Sequence, residues 1–269
     1  MNEKKDGIVT GAWKNRSLIL KLARNDFRMR YAGSYLGIIW AFVQPVVTVL
    51  VYFLVFGIGF KTSTTTSVPF IVYLTCGIVP WFYCQDVLVA GTNTLFEYSY
   101  LVKKVVFNID ILPYIKAIAG MFVHMFFTLI AVITAALYGY YPTVYLLQIL
   151  YYFVCMFIFL LGLIWATCAV VVFFRDLIQI IVIALQIGIW SVPIMFDPAN
   201  LSFAEKWKII FKINPMYYII NGYRDAVFGR HWFWEHPWET LYFWTFTLLV
   251  LLIGRAVFRK LKPHFADVL

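Results

Sequence analysis

The segment RNDFRMRYAGSYLGIIWAFVQPVVTVLVYFLVFGIGF, residues 24–60, changes character abruptly at Tyr35. Its first part carries Arg24, Arg28 and Arg30, and the part from Tyr35 onward carries no charge. An apolar run of about twenty or more residues covers the hydrocarbon core of a bilayer at about 1.5 Å per residue. The run must be helical, because lipid offers the backbone no hydrogen-bond partners. The segment therefore predicts a membrane-spanning helix whose basic flank marks the cytoplasmic side.

The composition extends this prediction to the whole chain. Hydrophobic residues make up 63% and charged residues 13%, with a mean hydropathy of +0.82. These values are typical of an integral membrane protein. The net charge of +9 would suggest nucleic-acid binding in a soluble protein. Here the basic residues cluster at the ends of apolar runs, where they set topology, so we expect no nucleic-acid partner.

We predict an all-α integral membrane protein with six transmembrane helices, an N-terminal amphipathic interface helix, and short re-entrant or interfacial helices between spans five and six. On this arrangement 16 of the 22 lysines and arginines lie on the side of the two termini, which predicts that both termini are cytoplasmic. The first apolar run is too long for the core of a signal peptide, so we expect no cleaved leader. The predicted spans lie near residues 36–60, 68–90, 114–137, 144–174, 177–196 and 239–257.

Ahead of the first span, an apolar face adjoins a basic face, which is typical of a helix lying on an anionic membrane surface. Two interpretations of the basic face stay open. It is either a topology signal only, or Arg24, Arg28 and Arg30 also bind the phosphate groups of a lipid-linked substrate, since guanidinium groups bind phosphate strongly.

The predicted domains are a cytoplasmic tail with the interface helix at 1–35, a transmembrane domain at 36–260 and a cytoplasmic C-terminal tail at 261–269.

The sequence contains no evident catalytic constellation. The four cysteines lie in apolar runs without metal-ligand spacing, which favours buried structural thiols. The hexapeptide GIGFKT at 57–62 has Phe60 where a phosphate-binding loop requires a glycine before the lysine. Spans three and four carry no carboxylate for a proton or sodium relay. We therefore expect no enzymatic activity, metal or cofactor in this chain, and an energy source in another chain.

Five ordered pieces of the sequence resemble the permease subunits of ABC exporters for bacterial polysaccharides. The resemblance covers nearly the whole chain. It departs at Gln44, where an asparagine is common, and at Asn108, where a proline is usual. The pieces are RMRYAGSYLGIIWAFVQP at 28–45, GIVPWF at 77–82, LVKKVVFNIDILP at 101–113, FFRDL at 173–177, and NPM with GYR at 214–216 and 222–224.

The resemblance implies a homodimer of this subunit with two copies of an ATP-binding cassette subunit. That assembly would export a lipid-linked O-antigen, capsule or teichoic acid chain across the bacterial plasma (inner) membrane, with ATP and Mg bound by the partner subunit. The inner stretch at 94–107 would be a coupling helix seated on the ATPase, although from the residues alone it could also be a solvated connector. Short gating helices would occupy about 198–237 on the outer side. The implied coupling residues are Glu97, Leu101, Lys103, Lys104 and Phe107.

Spans one and five would line the pathway in such an exporter. An extended sugar chain requires rings to stack on and hydrogen-bonding side chains, and the alternative is that the aromatic residues face lipid or mark its interface. Two other functions stay open. One is an ABC exporter of a small lipid or drug, and the other is a membrane glycosyl- or acyltransferase, which would form product without an ATPase. The candidate pathway residues are Tyr52, Phe56, Trp81, Phe82, Gln186 and Trp190.

Overall fold

The computed structural model describes residues 13–33, 35–62, 68–103, 108–198 and 205–269, without the side chains of 205–208. Within these ranges the regular structure is helical, with no β-strand, as a backbone that must satisfy its own hydrogen bonds in lipid requires. The helices are α1 (Arg16–Arg30), α2 (Trp40–Tyr52), α3 (Phe70–Thr92), α4 (Thr94–Glu97), α5 (Ser99–Val102), α6 (Leu112–Leu137), α7 (Gln148–Val171), α8 (Leu177–Gly188), α9 (Glu205–Ile213), α10 (Pro215–Phe228), α11 (Pro237–Leu261) and α12 (Phe265–Val268).

Helix α3 lies at the centre of the bundle. In its most apolar 18-residue window, 78% of the residues are buried. Helix α3 is packed against α6, α7 and α10. Its polar residues Gln85 and Asp86 are exposed near one end. The four cysteines are free and buried in this bundle, as the sequence predicted.

Helices α7 and α11 touch backbone to backbone. A Cβ atom on Gly254 would lie 2.1 Å from the carbonyl oxygen of Gly162, and one on Gly162 would lie 2.8 Å from the Cα of Leu251. Lipid gives little hydrophobic drive for helix association, so membrane helices gain stability from such close packing at small residues. The two glycines therefore set the distance between these helices.

Five helical segments are long and apolar enough to cross a membrane. The predicted span at 177–196 contains the shorter α8, which has 12 residues and a length of about 18 Å, followed by a 3₁₀ turn at Ile189–Ser191. The described residues thus establish a multi-pass helical membrane protein with five candidate spans. These are Gly37–Gly59, Phe70–Thr92, Ile109–Leu137, Val144–Val171 and Pro237–Val268.

The first span lies at the edge of the bundle. Only 6% of its most apolar window is buried, and it ends in a π-helical segment, Phe53–Gly59. Helix α1, which precedes it, packs along α6 and buries Ile19, Ala23 and Asp26. The first span therefore leaves most of its surface to lipid or to another molecule.

Candidate functional site

A cavity of 390 Å³ separates the first span from α3 and α6. We call it the first-span cleft. Tyr52 and Phe82, two of the predicted pathway residues, both line it. Its wall combines aromatic rings with hydrogen-bonding groups, which suits a hydroxylated ligand better than an apolar one. The polar aliphatic side chains in its wall are Gln44, Thr48, Gln85 and Asp86.

The other four predicted pathway residues divide into two groups. The ring centroids of Phe56 and Trp190 are 6.3 Å apart, so the first span meets the turn after α8 beside the cleft. Trp190 is 54% exposed and Gln186 is exposed. Trp81 is 3% exposed, and a Cβ atom on Gly188 would lie 2.8 Å from its ring. Trp81 therefore packs inside the bundle, while the other three lie near or on its surface.

Thr48, Gln85 and Asp86 line the cleft but were not among the predicted pathway residues. Polar residues inside apolar helices are a signal of a functional or protein-facing surface, and the sequence contains that signal. It does not indicate which residues of α2 and α3 face each other across a cavity.

Arg30, at the end of α1, binds Asp86 in the wall of the cleft. Its Nη1 donates to both carboxylate oxygens, at 2.8 and 2.7 Å. Burial lowers the pKa of Arg30, but the charge and hydrogen bond of Asp86 outweigh burial and raise it overall. Arg24 and Arg28, which the sequence grouped with Arg30, are exposed. The three arginines therefore differ in surroundings, and among the described residues only Arg30 of the three has an ion-pair partner.

A buried ionic cluster lies where α1, α4 and α6 meet, and we call it the Lys116 cluster. The Nζ atom of Lys116 is 2.6 Å from Oδ1 of Asp26 and also contacts Glu97. The hydroxyl of Tyr98 donates to the same Asp26 oxygen at 2.8 Å. Burial and the charge of Asp26 raise the pKa of Tyr98, so this hydroxyl keeps its proton and remains a donor.

The predicted coupling residues lie on or next to the short helices α4 and α5. Glu97 reaches Lys116 while its side chain stays 49% exposed. Leu101 is half-buried and Lys103 is exposed, and Tyr100 beside them is 58% exposed. Lys104 and Phe107 lie outside the described residues. The described part thus presents an exposed tyrosine, an exposed lysine and a half-exposed glutamate next to the Lys116 cluster.

At the opposite end of α3, the region at 198–237 holds α9, α10 and a 3₁₀ turn. A cavity of 490 Å³ there is lined by side chains of both charges. Arg224 is 5% exposed, donates to the carbonyl of Pro193 at 2.7 Å, and stacks 3.5 Å above the ring of Tyr73. Burial raises the pKa of Asp225 beside it. Arg224 therefore joins α10 to the turn after α8 and to the start of α3.

The long apolar helices and the cleft beside the outermost span define a multi-pass helical membrane protein. Residues 17–228 match the family model described as ABC-2 type transporter. The match covers most of the chain, and the protein belongs to this family of transporter membrane components.

Similar proteins share a common description. The O-antigen export system permease protein RfbA of Myxococcus xanthus is 24% identical over 83% of this chain and 85% of its own length. Two proteins of the same name from Klebsiella pneumoniae are 26% and 27% identical, each over 94% of this chain and 95% of their own length. Because at most about a sixteenth of this chain lies outside the two longer matches, the similarity includes the first span and the Lys116 cluster.

Proposed function

We propose that this chain is the transmembrane subunit of an ATP-driven exporter that moves lipid-linked polysaccharide, of the O-antigen class, across the bacterial plasma membrane. The observation that carries this proposal is the similarity over 94% of the chain to O-antigen export permease proteins. The aromatic and polar wall of the first-span cleft supports it, because sugar rings stack on aromatic faces and their hydroxyls need donors and acceptors.

We further propose that two copies of the chain form the transport pathway between them. The first span is 6% buried in its most apolar window, and α8 has an exposed face that includes Gln186. A polar side chain on such a face is costly in lipid and is better placed at a protein surface or a hydrated pathway. The first span and α8 of each copy would thus line the route, with Tyr52, Phe56, Phe82 and Trp190 nearby.

The energy would come from two ATP-binding cassette subunits, which would hold ATP and Mg. Their docking surface would be the inner segment at 94–107, of which Tyr100 and Lys103 are exposed. Aromatic residues are favoured at interface cores, so Tyr100 would lie at the centre of this contact, with Glu97 and Lys103 at its charged edge.

Six crossings follow if α8, its 3₁₀ turn and residues up to 196 together traverse a locally thinned or hydrated part of the membrane. Both termini would then be cytoplasmic, α1 would lie on the inner leaflet, and α9 and α10 would form outer gating elements. The exposed guanidinium groups of Arg24 and Arg28 would be free to meet lipid phosphates, whereas Arg30 is neutralised by Asp86.

The test is deletion of the gene together with complementation. We expect deletion to leave lipid-linked polymer on the inner leaflet, and wild-type chain with its ATPase to restore surface polymer. Scrambling residues 94–103 should abolish restoration, while membrane insertion is retained. Normal surface polymer in the deletion strain would refute the proposal and favour a small-lipid or drug exporter. Product formation by the purified chain without an ATPase would instead indicate a transferase.

A further inference from the structure

The Lys116 cluster joins three elements at a single ammonium group. The side chains of Lys116 and Asp26 are 3% and 6% exposed, and Glu97 approaches from α4. The Nζ atom also lies 5.4 Å from the ring centroid of Tyr98. Helices α1 and α6 and the inner segment that begins with α4 therefore all contribute to one buried polar contact.

A buried charge is tolerated only while its partners remain in place, because its desolvation is not otherwise compensated. If α1 moved away from α6, Lys116 would lose Asp26. If the inner segment moved away from α1, Asp26 would lose the hydroxyl of Tyr98. The motion that costs the least free energy is therefore one in which these elements move together. The cavity of 290 Å³ beside the cluster carries carboxylates as well as cations, so an anion is not its natural ligand.

Helix α1 leads within a few residues into the first span. That span has little burial of its own, so the elements at its ends have a large part in setting its position. Asp86, on α3, holds the end of α1 through Arg30. A displacement of α1 would therefore shift both the first span and Asp86 in the wall of the first-span cleft.

We propose that Lys116, Asp26 and Tyr98 act as positioning residues that make α1 and the inner segment move as one unit. A conformational change of the ATPase that displaces the inner segment would then also displace α1 and, through it, the first span. This inference rests on the proposed function. It concerns how hydrolysis is linked to transport, and it places no residue of the cluster in contact with nucleotide or substrate.

The first experiment uses the permease with its ATPase in vesicles, where hydrolysis and transport of lipid-linked glycan are measured together. Lys116→Met should lower the transport per ATP by about tenfold, with hydrolysis largely retained. Lys116→Arg, which keeps the charge, should recover part of the ratio. Lys21→Met is the control, because Lys21 is an exposed lysine of α1. An unchanged ratio in Lys116→Met, or an equal fall in hydrolysis and transport, would overturn the proposal.

The second experiment keeps Lys116 and decides the matter if Lys116→Met does not fold. Asp26→Cys combined with Tyr98→Cys removes the hydrogen bond between α1 and the inner segment, and a short bis-maleimide, which alkylates both thiols, then replaces it with a covalent link. We expect low transport per ATP before linking and recovery after it. Arrest of transport by the link would show that the two elements move apart during the cycle, and lack of recovery would likewise overturn the proposal. A wild-type complex that moves no glycan would instead refute the proposed function.

Discussion

Replacing Gly254 by alanine should destabilise the protein more than the small size of the added methyl group suggests. The added Cβ would lie 2.1 Å from the carbonyl oxygen of Gly162 and 3.3 Å from the amide nitrogen of Ala166. The first distance is about 1.3 Å short of ordinary contact at 3.4 Å. Both atoms belong to the backbone of α7, so no rotamer change can relieve the clash and the helices must separate.

Separation by even 0.5–1 Å forfeits about a quarter to a half of each affected van der Waals contact. Overpacking of this kind costs about 1–3 kcal/mol, and we place Gly254→Ala at the upper end, about 3 kcal/mol. The expected fall in Tm is about 6–12 °C, at about 2–4 °C per kcal/mol for a chain of this size. Thermal unfolding in detergent, followed by size-exclusion chromatography, measures it.

Gly59→Ala is the matched control. A Cβ atom on Gly59 would lie 3.5 Å from the carbonyl oxygen of Leu54, which is ordinary contact. Gly254 lies inside α11 and Gly59 at the end of the first span, so the helix-propensity gain of up to about 1 kcal/mol favours Gly254→Ala, and a lower Tm of that variant cannot come from propensity. If Gly254→Ala unfolds at the same temperature as Gly59→Ala, the backbones of α7 and α11 are not in contact and the reasoning fails.

Three further perturbations address other parts of the molecule. Gly222→Ala would place a Cβ 2.0 Å from the ring of Tyr152, so we expect a loss of about 1–3 kcal/mol in thermal unfolding; an unchanged Tm would contradict the packing. Lys116→Met removes the cation from the buried carboxylate of Asp26 and should lower the free energy of unfolding by about 3–5 kcal/mol, measured by denaturant titration. A loss under about 1 kcal/mol would mean that the cluster is hydrated. Arg24→Ala with Arg28→Ala should weaken export while protease mapping shows unchanged orientation, and inverted or failed insertion would favour the topology-only interpretation.

The prediction for the basic flank illustrates what local sequence can indicate. Arg24, Arg28 and Arg30 share a charge type and a short segment, and the sequence treats them as one group. The structure separates them, because Asp86 is distant in sequence yet lies against Arg30. A contact between residues 56 positions apart depends on where the packing of α1 along α6 places the end of α1, which no local pattern encodes.

Lys116 shows the same limit. From the sequence it is a basic residue at the margin of the third span, with no indication that it is buried. Its partners Asp26 and Glu97 lie on two other elements, and the cluster exists only because α1 and α4 both meet α6. Likewise, Tyr52 and Phe82 were predicted from their chemistry, and their common position in one cleft is a property of the packed bundle.

The membrane character of the chain, the positions of its long apolar helices and its family motifs follow from the linear order of residues. The physical reason is that lipid imposes a local requirement, since each spanning segment must be apolar and must satisfy its own backbone hydrogen bonds. The burial of α3, the exposure of the first span, the contact of Gly162 with Gly254 and the Lys116 cluster depend on tertiary packing. They join residues far apart in the chain, and such contacts exist only once the helices have packed against one another.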